Sequence, residues 1–249
     1  MHVLISNDDG IGASGIRCLV QAFAQAGHRV TVAAPDAQRS AASHSITLFR
    51  PLTLRRVDWP AVHVEAWAID GTPADCVKFA LDRLTPSVDA VVSGVNDGYN
   101  IGTDVHYSGT VAAAMEGAFA GVPAVAVSAP RGREDLMPLA AREALQAAQR
   151  FDAKRPPRLT TLNINVPDCA ADQIRGRRAA SLARLRYDDG YIEQETAEPG
   201  GCYRLTGAMA GADGGEDSDF ALLAQGYITY TVLHFDLGMP GEAERFLQE

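Results

Sequence analysis

At 249 residues, 47% of them hydrophobic, the chain is long enough to bury one large α/β core, or a core with a smaller appendage. A formal charge of −9 leaves no basic footprint for a nucleic-acid polymer, and no apolar stretch reaches the length of a membrane span, so neither is an expected partner. The four cysteines, Cys18, Cys76, Cys169 and Cys202, form no C-x-x-C pair, which argues against a zinc ribbon or a disulfide framework. The N-terminus has no basic segment leading a long apolar run, and the expected location is the cytoplasm.

From His2 to Ser6 an apolar run meets Asn7-Asp8-Asp9-Gly10, and helical spacing follows at Ile16, Leu19, Val20 and Phe23, closing at Gly27. A second strand, Val30 to Ala34, ends at Pro35-Asp36. The Ser- and Ala-rich segment Ala37 to Thr47 then lacks apolar periodicity and reads as a functional loop. Val62 to Ile69 alternates as a strand. Thr72-Pro73-Ala74-Asp75 supplies an N-cap, a first-turn proline and an acid for a helix continuing through Val77, Ala80, Leu81 and Leu84. Asp89 to Ser93 predicts a buried strand, Gly94 to Tyr107 a polar loop, and Val111, Ala114, Met115 and Ala118 the face of a helix ending at Gly121. Pro123 to Ser128 is the next strand. This alternation implies an α/β fold, a Rossmann-like, mostly parallel sheet flanked by helices, whose ligands sit beyond the carboxyl ends of the strands.

After a further strand at Leu162 to Val166 the texture changes. Arg175 to Asp219 is rich in charge, glycine and short alternating pieces, including a flexible Gly207 to Gly215, and predicts a small β-rich extension or arm. Gly226 to Asp236 alternates as a long strand, and a short helix from Glu242 finishes the chain. The expected division is a core over 1–170 and a β-rich extension over 171–249 whose last strand and helix return to the core.

Two adjacent carboxylates after a buried strand are costly unless a positive charge neutralises them, and a hard divalent cation such as Mg²⁺ or Mn²⁺ suits oxygen ligands. On local sequence alone, Asn7-Asp8-Asp9-Gly10 reads equally as a turn that caps the helix. The same loop spells G-x-G-x-x-G at Gly10, Gly12 and Gly15, with Asp36 at the end of the second strand, which is formally a dinucleotide fingerprint. A pyrophosphate there would sit beside Asp8 and Asp9 without a compensating cation, so an NAD(P)-dependent oxidoreductase is the lesser reading. A non-catalytic nucleotide-binding module is the other alternative. Further on, Ser93 to Asn100 carries amide and carboxylate oxygens. Tyr107-Ser108-Gly109-Thr110 opens a helix whose free N–H groups and hydroxyls can hold an anion, although Ser108 taken alone reads as an N-cap.

Five segments, Ser6 to Gly10, Ala34 to Ser40, Gly71 to Val77, Ser93 to Asn96 and Tyr107 to Gly117, together resemble the SurE survival-protein family of 5′-nucleotidases, in that family's order. Leu162 to Pro167 and Gly226 to Thr229 extend the resemblance over nearly the whole chain. The resemblance implies hydrolysis of nucleoside 5′-monophosphates, often of 3′-monophosphates and sometimes of short polyphosphate. It also implies one divalent cation per subunit, Mg²⁺ or Mn²⁺, and a homodimer or homotetramer formed through the C-terminal segment. By position it puts metal ligands at Asp8, Asp9, Ser40 and Asn96, with the acidic pair also catalytic, and substrate contacts at Ser108, Gly109, Thr110, Arg39 and Asn100. The chain departs from the family's pattern at Gly12, at His44, where an asparagine is common, and over Glu216 to Asp219.

Overall fold

Strands that are apolar on both faces must be covered on both sides, and the alternating order of the chain provides the cover. The computed structural model describes residues 1–151, 156–195 and 200–238. The core runs β1 (His2–Ser6), α1 (Ser14–Gln25), β2 (Arg29–Pro35), β3 (Leu54–Val57), β4 (Val64–Ile69), α2 (Pro73–Phe79), β5 (Ala90–Asp97), α3 (Gly109–Phe119), β6 (Ala124–Ala129), α4 (Met137–Gln149) and β7 (Thr160–Asn165). Beyond it come β8 (Arg177–Ala179), β9 (Arg184–Tyr187), β10 (Gly190–Gln194), β11 (Cys202–Thr206), β12 (Met209–Asp213), α5 (Asp219–Ala224) and β13 (Ile228–His234).

Nine strands form one sheet in the order β3-β4-β2-β1-β5-β6-β7-β13-β8. The run from β4 to β7 is parallel, while β3 and β13 join antiparallel to β4 and β7. The α/β expectation therefore holds. Strand order reverses at β1, which lies between β2 and β5, and in such sheets the crevice that binds ligands is expected beyond the carboxyl ends of these two strands. One apolar cluster gathers Ile16, Leu19 and Phe23 of α1 with Ala140, Ala144 and Ala148 of α4, and a second, on the other face, gathers Val77 of α2 with Val111, Ala114 and Met115 of α3.

Local chemistry explains how closely these layers meet. A Cβ on Gly15 would stand 1.9 Å from the Val95 carbonyl oxygen, so glycine lets the start of α1 rest on β5. α3 is apolar nearly all round and buried along its length, and its small residues bring it down onto the sheet.

Several elements differ from the sequence reading. β5 runs on through Asn96 to Asp97, with a register shift after Ser93, so Asn96 lies in a strand rather than in a loop. The expected flexible stretch at Gly207 to Gly215 holds β12, paired with β9. β3 and α4 were not anticipated. α4 buries mainly alanines, whose periodic signal is faint. The helix expected from Glu242 lies outside the described residues.

Candidate active site

The loop after β1 carries the acidic pair into the crevice. Asp8 is buried, and its Oδ1 accepts a hydrogen bond of 2.5 Å from the Thr110 hydroxyl at the start of α3. Gly109 makes that approach possible, since a Cβ there would stand 2.9 Å from the Asp8 Cβ. Burial pushes the Asp8 carboxyl up to about 6, opposed by the Thr110 hydrogen bond and reinforced by the charge on Asp9. Asp9 is half-buried and is also raised, chiefly by burial; the Asp97 amide pulls it down and the Asp97 carboxylate pushes it up. Its Oδ2 accepts from the Asp97 backbone N–H at 3.1 Å and its Oδ1 from Gln38 Nε2 at 3.2 Å.

The 37–47 loop packs over this pair. The Arg39 backbone N–H donates to the Asp8 carbonyl at 2.7 Å, and Gln38 Nε2 donates to Ser40 Oγ at 2.9 Å as well as to Asp9. Ser43 binds the Tyr107 and His106 carbonyls through its N–H and hydroxyl, and Thr47 binds Asp75. Ser40 is thereby tied to Asp9 through Gln38. Asn96 stands on the β5 side, half-buried, with Nδ2 donating to the Gly98 carbonyl at 2.8 Å. That bond leaves its Oδ1 as the free acceptor.

These residues fit a hard cation. The four expected ligands, Asp8, Asp9, Ser40 and Asn96, offer oxygen atoms, both carboxylates carry a burial penalty for their charge, and Gln38 Nε2 links Asp9 to Ser40. Among the described residues no group of three or more His, Cys, Asp or Glu side chains has metal-binding geometry, so water or substrate oxygens would complete any shell here.

The remaining candidates separate. Ser108 is the N-cap of α3, its Oγ accepting from the Val111 N–H at 3.1 Å, and its hydroxyl proton stays available. The Gly109 and Thr110 amides lie in the first turn, where N–H groups have no intrahelical acceptor. The Thr110 hydroxyl proton, expected from the sequence to point at a phosphate, is instead engaged by Asp8. The Arg39 guanidinium pairs with Asp36 at 3.1 Å. Asn100 is buried in an amide network: its Nδ2 donates to Ser128 Oγ, its N–H to Asn165 Oδ1, and its carbonyl accepts from Asn163 and Asn165. Sequence reasoning passed over Gln38, although it sits between two residues of a quoted motif.

The glycine fingerprint also resolves. Gly10 has φ +93° and a virtual Cβ 3.1 Å from Ala37, and Gly15 abuts Val95, whereas a Cβ on Gly12 would meet nothing within 4 Å. Two of the three glycines are explained by the chain's own packing.

Comparison with known proteins shows the family and the fold. The family described as Survival protein SurE matches residues 3–189. The 5′-nucleotidase SurE of Synechococcus sp. (strain JA-3-3Ab) is 43% identical over 95% of this chain and 93% of its own length. That of Thermosipho africanus (strain TCF52B) is 40% identical over 93% and 90%. The crystal structure of the SurE protein from Aquifex aeolicus superposes with a TM-score of 0.81 at 31% identity, covering 100% of both chains.

Proposed function

Because the chain belongs to the SurE survival-protein family, we propose that it is a divalent-metal-dependent phosphatase that hydrolyses nucleoside 5′-monophosphates to nucleoside and phosphate. The observation that carries the reading is the adjacent pair of charge-penalised carboxylates at the strand-order reversal, Asp8 buried against the N-terminus of α3 and Asp9 half-buried beside it. 3′-Monophosphates and short polyphosphate are further candidate substrates, since an anion site built from helix amides reads the phosphoryl group rather than its ester partner.

In this reading Asp8, Asp9, Ser40 and Asn96 hold Mg²⁺ or Mn²⁺. A cation held there would supply positive charge against the phosphoryl oxygens and make water a better nucleophile. Thr110 fixes the rotamer of Asp8 through its hydroxyl, and Gln38 fixes Asp9 and Ser40 relative to each other. Ser108 donates its hydroxyl proton to a phosphoryl oxygen, and the Gly109 and Thr110 amides add fixed dipoles that require no reorganisation. Asp9, half-buried and closer to solvent than Asp8, orients the attacking water. Arg39 and Asn100 shape the walls through Asp36 and Ser128.

A homodimer or homotetramer through the C-terminal segment belongs to the same proposal. It is supported by the β10–β11 hairpin, a two-stranded sheet carrying exposed Tyr191, Ile192, Tyr203 and Leu205, because an isolated hairpin is marginally stable in water. The proposed division remains a 1–170 core and a 171–249 extension, and the proposed location is the cytoplasm. No helix among the described residues is long and apolar enough to cross a membrane.

The test is a phosphate-release screen over nucleoside monophosphates with Mg²⁺, with Mn²⁺ and with chelator. Metal-restored turnover is the expected result. Tight nucleotide binding without turnover would make the chain a binding module instead.

A further inference from the structure

The charge at the site does not balance with one divalent cation. Asp8, Asp9 and the neighbouring Asp97 bring carboxylates, and a phosphate monoester adds about −1.5 to −2 at neutral pH. Three other basic side chains are already paired: Arg39 with Asp36, Lys78 with Glu116, and Arg133 with Asp135 and Asp168.

Arg131 is different. It lies in the turn after β6, is exposed, and has no ion pair or hydrogen bond from its side chain among the described residues. Two hydrogen bonds on either side of it tie this turn to the end of β5: the Gly98 N–H donates to the Ala129 carbonyl at 2.9 Å, and the Gly132 N–H donates to Asp97 Oδ1 at 2.7 Å. The Asp97 N–H in turn holds Asp9, so one residue links the Arg131 turn to the acidic pair. The guanidinium lies over Gly98, its Nε and Nη2 3.7 and 3.8 Å from where a Cβ would stand, and Asn96 Nδ2 is 3.9 Å from that same point. Its positive charge reaches Asp9 and favours the ionised carboxylate.

We propose that Arg131 is a substrate-binding residue whose guanidinium contacts the phosphoryl oxygens from the β5–β6 side of the crevice, facing the amides of α3 across the acidic pair. The inference rests on the phosphatase reading. An unpaired, planar guanidinium on a tethered turn can take two phosphoryl oxygens at once, which an ammonium cannot. It would supply the charge that the cation leaves unbalanced.

The experiment compares wild type with Arg131→Gln and Arg131→Lys. It measures kcat/KM for a nucleoside 5′-monophosphate, the competitive inhibition constant of inorganic phosphate, and Mg²⁺ or Mn²⁺ affinity without phosphate by calorimetry. Loss of a charge-assisted contact predicts that Arg131→Gln lowers kcat/KM and weakens phosphate inhibition together, by about tenfold to a hundredfold. Arg131→Lys should recover part of both, and metal affinity should stay within about threefold. Unchanged phosphate inhibition in Arg131→Gln would overturn the proposal, and so would a loss confined to metal affinity, which would make Arg131 only a neighbour of Asp9. Absence of turnover in the wild type would sink the phosphatase reading instead, while phosphate binding by calorimetry would still test Arg131.

Discussion

The starts of α2 and α3 each hold a buried aspartate, and the two aspartates are treated in opposite ways. At the start of α2, Asp75 accepts from the Thr47 N–H and hydroxyl and from the Thr72 N–H, while the Thr72 hydroxyl caps the Asp75 N–H in return. Burial would raise this carboxyl, but the donors outweigh it and hold it below its ordinary range. At the start of α3, Asp8 has one side-chain donor and a second carboxylate beside it, and its carboxyl rises to about 6. A saturated buried charge is structural. An undersaturated one is held at a cost, which a ligand of opposite charge can relieve.

The largest expected effect breaks the undersaturated side. Asp9→Asn removes one ligand charge and should lower kcat/KM by more than about a hundredfold at saturating Mg²⁺, since changes merely adjacent to metal ligands cost ten- to a hundredfold. Near wild-type phosphate release from that variant would remove the metal assignment.

Asp8→Asn should abolish activity and yet stabilise the metal-free protein. The carboxyl rises from 3.8 to about 6 on folding, a penalty of roughly 3 kcal/mol when it is ionised. The folded state binds the proton more tightly, so stability from this group is fully present below the unfolded pKa and is lost as pH rises through the folded one. Denaturant melts in chelator should therefore show the variant's advantage opening between about pH 4 and 6 and staying constant above. Saturating Mg²⁺ should shrink the gap by stabilising the wild type.

Asp75→Asn is the mirror experiment. Its stabilisation is present above the unfolded pKa and is lost as pH falls through the depressed folded value. The substitution should cost about 1–3 kcal/mol at pH 7 and progressively less in acid. Equal costs at pH 7 and pH 3 would show that shape rather than charge is at stake. Thr110→Val joins the two cases, because it strips Asp8 of its donor. It should lower metal affinity and kcat/KM together by about tenfold, whereas a hydroxyl that served only the phosphate would leave metal affinity intact.

The sequence made some of this legible. The strand-loop-helix around Asp8 and Asp9, the cap at Ser108 and the cap, proline and acid from Thr72 to Asp75 are local signals of strand, turn and N-cap chemistry, and each appears in the structure. What stayed hidden depends on contacts distant in sequence. Thr110 meets Asp8 across 102 residues, and Arg131 is brought to Asp97 by the pairing of β5 with β6. The resemblance put Asn100 among the substrate contacts, and its bonds to Ser128 and Asn165, which hold it in a buried amide network, come from residues distant in sequence. α4 was missed because a helix that buries alanines against a neighbour needs no bulky stripe.

The smallest expected effect concerns the glycines that imitate a dinucleotide site. In a true fingerprint the middle glycine lets a pyrophosphate approach the backbone, so adding a methyl group there removes binding. Here a Cβ on Gly12 meets nothing within 4 Å, while one on Gly15 would stand 1.9 Å from the Val95 carbonyl oxygen. Gly12 also lies outside the α helix that begins at Ser14, so the change gains little helix propensity. Gly12→Ala should leave kcat/KM at the wild-type value and shift stability by no more than about 0.5 kcal/mol. Gly15→Ala should be poorly folded, because helix and strand must separate to admit the methyl group. Calorimetry with NAD and NADP should register no binding to either the wild type or Gly12→Ala. Micromolar affinity in the wild type that vanished on Gly12→Ala would restore the oxidoreductase reading, and it would mean that the glycine spacing serves a ligand rather than the meeting of α1 with β5.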